Sequence, residues 1–235
     1  DILGRKIADY LPKNPSSRPM LRLMKASFEL LNNHPVNLDR AKRGLKKANS
    51  LWLWSPGKKP SLPSFKEKFG LDASVVCAVD LIKGIGLCAG MDAPYVEGAT
   101  GNLHTNYKGK METAIRELEK GKDLVYIHIE APDECGHRGE VENKIRAIER
   151  IDSEVLVPLL DYMHKNMRPF KILLTPDHPT PIYACTHTLD AVPFVIYSSE
   201  KKKPNNIQVY DEQSGFEGGV YFDKGEELMN YFLSV

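Results

Sequence analysis

The chain has 235 residues, with 32 Lys or Arg against 31 Asp or Glu and a formal net charge of +1. That length can bury a proper core, as one large domain or as a domain with a smaller companion. The charge balance argues against a nucleic-acid scaffold or a membrane-surface protein held by a basic field, and no apolar run approaches the roughly 20 residues of a membrane span.

The opening stretch DILGRKIADY lacks the long apolar core of a signal peptide. The four cysteines, Cys77, Cys88, Cys135 and Cys185, form neither a C-x-x-C pair nor a dense framework, which suits a reducing compartment. A cytoplasmic protein with no nucleic-acid and no membrane partner is the expectation.

In chain order, Ser16 or Ser17 is expected to cap a helix through MLRLMKASFELLNN, ended by His34-Pro35, and Asn37 to cap a second through LDRAKRGLKKA. A short strand from Leu51 to Trp54 follows. Trp52 and Trp54 alternate there with leucines, a pattern that predicts packing at a junction rather than a base-stacking platform. SPGKKPSLPS, with three prolines and one glycine, reads as a connection between domains. Within it Lys58 and Lys59 fit either a contact to a substrate's carboxylate or phosphate or an ordinary solvated linker.

From Phe65 the pattern alternates. SVVCAV (Ser74 to Val79) predicts a strand, Lys108 to Lys120 a helix, and LVYIHI (Leu124 to Ile129) a second strand. Val141, Ile145, Ile148, Ile151, Val155 and Leu159 step by three or four and predict one buried helical face. KILLT (Lys171 to Thr175) is a third strand, and Val192 to Tyr197 a further apolar run. Strand, crossing helix and strand predict an α/β unit with parallel neighbours.

Two apolar strands end in ligand-type side chains. EAPDECGHRG, from Glu130, sets Asp133 four residues before His137, and TPDHPTP, from Thr175, sets Asp177 beside His178. If the two strands are parallel neighbours, both segments leave the same carboxyl edge, where ligands bind in such sheets. THTLDAVPF adds His187. Imidazole nitrogens with carboxylate oxygens suit a divalent ion such as manganese or zinc. Either motif alone fits an exposed turn with capping acids equally well; the pair at one edge favours a metal site. Cys135 reads as a small packed side chain, and His128 as a hydrogen-bonded core histidine. His104, in GNLHTNY, could hold a substrate group or stabilise a turn. Lys201 to Lys203 read as a surface turn.

The order EAPDECGHRG, TPDHPTPI, THTLDAVPF, together with WLWSPGKKPSLPSF, AVDLIKGIG and VEGATGNLHTNYKGK, resembles the cofactor-independent phosphoglycerate mutases. The likeness is to their archaeal-type branch within the alkaline phosphatase superfamily, and it covers nearly the whole chain. It implies an α/β, alkaline-phosphatase-like fold, with a mostly parallel central sheet and helices on both faces. Residues 1–60 would be the remnant of a smaller inserted α+β substrate domain with its linker, and residues 61–235 the metal-binding domain. It further implies interconversion of 3-phosphoglycerate and 2-phosphoglycerate through a phosphoserine at a two-metal site. Asp133, His137 and His187 match one ion's ligands, and Asp177 with His178 part of the other's. Manganese is the expected ion, with zinc, cobalt or magnesium as alternatives, and Lys83 in LIKGIG is the expected phosphate contact.

One departure accompanies the likeness. The first strand with its metal-binding aspartate, and the serine nucleophile that follows it in the family, have no counterpart in this sequence. The chain is therefore expected to be the carboxyl-terminal part of a longer enzyme and inactive alone. Apolar surface left uncovered would favour a homo-oligomer. A metal-dependent phosphomonoesterase of the same superfamily and a noncatalytic binding module are the competing functions.

Overall fold

A computed structural model of the chain describes residues 4–55, 57–166, 169–201 and 204–235. Lys202 and Lys203, of the predicted basic turn, lie outside the described residues. The chain forms two compact units, Asp1–Pro60 and Ser61–Val235.

The first unit holds helices α1 (Arg18–Asn32) and α2 (Pro35–Lys42), after short 3-10 turns at Ile7–Tyr10 and Pro15–Ser17. Ser17 is the N-cap of α1, but its side chain makes no capping bond. Asn37 does not cap α2. The helix starts earlier because Pro35 presets its first turn and His34 Nδ1 accepts from the Val36 amide. Asn37 is instead buried inside the helix, where its amide donates to Leu31 and Ala48 carbonyls and its oxygen accepts from the Ala48 amide. The predicted strand Leu51–Trp54 is irregular. No strand of the first unit lies among the described residues, so this segment has no ladder to join. Trp52 and Trp54 are correspondingly exposed, Trp54 by 75%, against the expected packing.

The second unit opens with α3 (Phe65–Phe69), started by a capping box of Ser64 and Glu67 and ended by Gly70 in the left-handed conformation. Strand β1 (Ala73–Val76) follows, buried at every residue, then α4 (Asp80–Cys88), α5 (Tyr107–Glu119) and β2 (Leu124–Ile127). β1 and β2 pair in parallel, Ala73 opposite Leu124 through Val76 opposite Ile127. The core sits on α5. Tyr107 and Met111 pack with Ala131, Ala147 and Val155, while Ala114 packs with Val76 and Val96.

Beyond β2 come α6 (Ala131–His137), α7 (Val141–Ile151), a single π turn (Asp152–Leu156) and α8 (Val157–Lys165). The predicted single buried face breaks here. Ile151, Val155 and Leu159 join the core, yet Val141, Ile145 and Ile148 are 50%, 48% and 54% exposed. A π turn winds by i→i+5 and so rotates the residues after it relative to α7, whose inward position is taken by Ala147.

β3 (Lys171–Leu174) and β4 (Val195–Ser198) form an antiparallel pair, and α9 (Glu212–Glu217) and α10 (Gly225–Ser234) close the unit. The fold is α/β as expected, with a finer correction. Among the described residues the sheet is one parallel pair and one antiparallel pair, and β2 and β3 are not hydrogen-bonded neighbours. The segment between β3 and β4 contains no helix, and without a crossover the chain returns antiparallel. Among the described residues no helix is long and apolar enough to cross a membrane.

Candidate metal centre

Because β1 and β2 are parallel and in register at Val76 and Ile127, the segments that follow them leave the same edge. After β1 the chain runs through Cys77 and Val79 into α4, which carries the half-buried Lys83. After β2 it runs through Glu130 into α6. The Glu130 carboxylate laces the two exits: Oε1 accepts from the Val79 amide at 3.1 Å, and Oε2 from Lys110 Nζ at 3.0 Å. Lys110 also donates to the His128 carbonyl at 2.7 Å, and its side chain is wholly buried.

EAPDECGHRG therefore ends a strand and makes a helix, with Pro132 in its first turn. One helical turn separates Asp133 from His137, so both side chains share a face. The loop after β3 brings the remaining groups. Thr180 donates to Asp133 Oδ1 at 2.5 Å, and Lys144 of α7 donates to the Thr180 carbonyl at 2.6 Å. A methyl group on Gly136 would strike that carbonyl, so glycine is what lets this loop lie against α6. The convergence expected from neighbouring strands is thus achieved by a docked loop instead.

Three donor atoms meet at the centre. The Nε2 atoms of His137 and His187 are 3.0 Å apart, and they lie 3.5 and 3.2 Å from Asp133 Oδ1. His178 stacks on His187 with ring centroids 3.8 Å apart, and its Nε2 faces Asp177 Oδ2 at 3.5 Å. Asp133, His137 and His187 thus come together with His178 against them, and Asp177 lies against its chain neighbour His178. The charge of Asp177 is felt on β2: partial burial, and next that charge, push the Tyr126 hydroxyl above its ordinary range.

His137 is oriented through its other nitrogen. Nδ1 lies 3.1 Å from the Cys185 carbonyl, which can only accept, so Nδ1 donates there and Nε2 is the nitrogen turned toward Asp133 and His187. Cys185 holds this position with φ of 51°, an uncommon backbone for a residue other than glycine, and such conformations cluster at functional sites. Cys135 is packed, as expected: burial and then Glu140 push its thiol up. Burial, followed by the Glu130 carboxylate, does the same to Cys77, with Lys83 and Lys110 opposing.

The remaining candidates have their own surroundings. His104 is exposed, and its amide donates to Asn102 Oδ1 at 2.9 Å in a local turn. His128 is half-buried with Tyr126 Oη 3.4 Å from Nδ1. Lys58 and Lys59 are exposed residues of the first unit.

Sequence reasoning missed Lys110, Thr180 and Cys185. Lys110 carried a signal, since it falls on the same helical stripe as Tyr107, Met111 and Ala114. Thr180 lies inside the TPDHPTP motif. Nothing marks Cys185, whose role rests on backbone conformation.

An α/β unit with imidazoles and a carboxylate gathered beyond a parallel strand pair has the donor set of a metal-binding domain. The sequence profile of the Metalloenzyme superfamily matches residues 15–230, and the chain belongs to that superfamily. It is 44% identical over 233 residues to the 2,3-bisphosphoglycerate-independent phosphoglycerate mutase of Methanosarcina mazei, covering 99% of this chain and 58% of the relative. It is also 44% identical over 234 residues to the protein of that name in Methanothrix thermoacetophila, covering 100% and 59%. The chain thus spans less than two thirds of these relatives. The solved structure of the PH0037 protein from Pyrococcus horikoshii is similar, with a TM-score of 0.71 and 31% identity over 87% of this chain and 54% of that one.

Membership implies dependence on a divalent metal, and the donor set fits one. Asp133, His137 and His187 offer atoms all within 4.8 Å of one another. Separations of 3.0 to 3.5 Å are those of neighbouring ligands around one ion bound at about 2.0–2.2 Å.

Proposed function

We propose that this chain is the metal-binding portion of a 2,3-bisphosphoglycerate-independent phosphoglycerate mutase, which interconverts 3-phosphoglycerate and 2-phosphoglycerate through a phosphoserine. The observation that carries this reading is the cluster of Asp133, His137 and His187, with His178 and Asp177 beside it, in a chain 44% identical along its length to proteins of that name. Asp133, His137 and His187 would hold one cation, and Asp177 with His178 would contribute to a second. Manganese is the proposed ion; zinc, cobalt and magnesium accept related oxygen and nitrogen donors. When bound, such ions supply charge stabilisation to the attacking and leaving oxygens of a phosphoryl transfer.

The chain's own residues do the rest. The Cys185 carbonyl holds His137 Nδ1 so that Nε2 faces Asp133 and His187, and the Lys110–Glu130 pair ties the α4 and α6 exits together so that Lys83 can present its ammonium to a phosphoryl group. Lys58, Lys59 and His104 are proposed substrate contacts, and residues 1–60 a part of the substrate domain. No serine of this sequence stands in the nucleophile's motif, so the 235-residue chain alone is proposed to be inactive. Self-association is also proposed, on the exposed stripe of Val141, Ile145 and Ile148; a clean monomer in light scattering would remove it.

The test is twofold. Manganese titration of the chain should show uptake at neutral pH that D133A and H187A abolish; equal uptake by the variants would overturn the ligand assignment. A longer polypeptide carrying this chain should then isomerise phosphoglycerate without releasing inorganic phosphate. Release of inorganic phosphate would identify a phosphomonoesterase instead, and an absence of both products a binding module.

A further inference from the structure

We propose that Thr180 is a positioning residue whose single hydroxyl joins the two groups of ligand-type side chains into one site; this rests on the metal-binding reading above. Thr180 is 4% exposed, in the loop after β3. Its Oγ1 donates to Asp133 Oδ1 at 2.5 Å and lies 3.4 Å from His178 Nδ1. One atom thus touches a member of each group: Asp133 from the three-residue cluster, His178 from the pair with Asp177.

The direction of each bond follows from chemistry. An ionised carboxylate only accepts, so the threonine's one hydrogen goes to Asp133, and its lone pairs remain for a hydrogen on His178 Nδ1. A hydrogen at Nδ1 leaves His178 Nε2 with its lone pair, on the side where Asp177 Oδ2 lies 3.5 Å away. Thr180 would hold the Asp133 carboxylate against rotation and select the binding tautomer of His178. Its backbone is itself restrained. Lys144 holds the carbonyl at 2.6 Å, and the carbonyl lies over Gly136 where a β-carbon would otherwise sit. A hydroxyl on a rigid loop differs here from a surface threonine, which would reorient with its neighbours.

The experiment titrates cobalt(II) into the full 235-residue chain and follows the visible absorption of the bound ion, whose bands report ligand geometry. T180V removes the hydroxyl at nearly constant volume. It should weaken cobalt binding by about 10–100-fold, the usual effect of losing a group that orients a ligand, and should shift the bands. T180S and T180A differ from one another only in the hydroxyl, so T180S should stay close to the wild type while T180A follows T180V. This pair also decides the matter if valine disturbs folding, which far-UV circular dichroism checks. Wild-type affinity and spectrum in T180V and T180A would overturn the role of Thr180 while leaving the metal site intact. Equal losses in T180S and T180A would overturn it too, in favour of packing. A wild-type chain that takes up no cobalt would remove the metal-binding reading, and this inference with it.

Discussion

Replacing Gly136 with alanine sets two effects in α6 against each other. Alanine is favoured over glycine in a helix by up to about 1 kcal/mol, so open space at the site would make G136A stabilising. The space is closed: an added methyl would run into the Thr180 carbonyl oxygen, Cγ2 and Cβ. That carbonyl cannot retreat cheaply, because Lys144 Nζ holds it at 2.6 Å and the same residue's hydroxyl is bonded to Asp133. Forcing an extra carbon into such packing costs about 1–3 kcal/mol, which exceeds the helical gain. We expect G136A to lower the unfolding free energy by about 1–2 kcal/mol.

Gly84 provides the control. It sits in α4 with nothing within 4 Å of an added Cβ, so G84A should stabilise by up to about 1 kcal/mol. Urea unfolding followed by circular dichroism reads both, provided the slopes stay equal. A G136A chain as stable as the wild type would refute the packing of the Thr180 loop on α6.

Lys110→Met strands the Glu130 carboxylate in the interior without its cation, and should cost about 3–5 kcal/mol in urea unfolding; a loss under about 1 kcal/mol would show that the pair is easily replaced. Tyr107 carries a buried hydroxyl with no hydrogen-bond partner among the described residues, and Arg150 stacks 4.3 Å from the ring centroid. Tyr107→Phe keeps the stacking and removes the unpaired group, so the melting temperature should rise, in line with a gain of about 1 kcal/mol; a fall would contradict the unpaired state. Lys122 bonds Asp72 and Asp92, and these partners push its ammonium up to about 12. Lys122 in turn holds the Asp72 carboxyl below its ordinary 3.8. A depressed carboxylate stabilises above its ordinary value and stops doing so as pH falls through the folded one, so the advantage over K122M should be present at pH 7 and shrink below about 3.8. An advantage that persists in acid would rule out the ion pair as its source.

Much of the fold was legible because hydrophobic period is local. The alternation SVVCAV, the helix around Lys108 to Lys120 and LVYIHI correspond to β1, α5 and β2 within a few residues at each end. Where a local pattern needed a distant partner, the expectation failed. LWLW has strand composition but no ladder among the described residues, and stays irregular. The apolar stripe from Val141 to Leu159 has helical period throughout, yet a π turn divides it and leaves its first half exposed.

The residues by themselves determined which side chains carry ligand chemistry, since only imidazoles and carboxylates at strand ends can offer nitrogen and oxygen donors together. They could not determine how those groups meet. Tertiary structure decided that β3 pairs with β4 rather than with β2. It also decided that the loop after β3 reaches Asp133 by docking Thr180 against Gly136. The physical reason is range: period and spacing act over a turn or two of chain, whereas a hydroxyl 47 residues from its carboxylate partner is placed only by the packing of everything between.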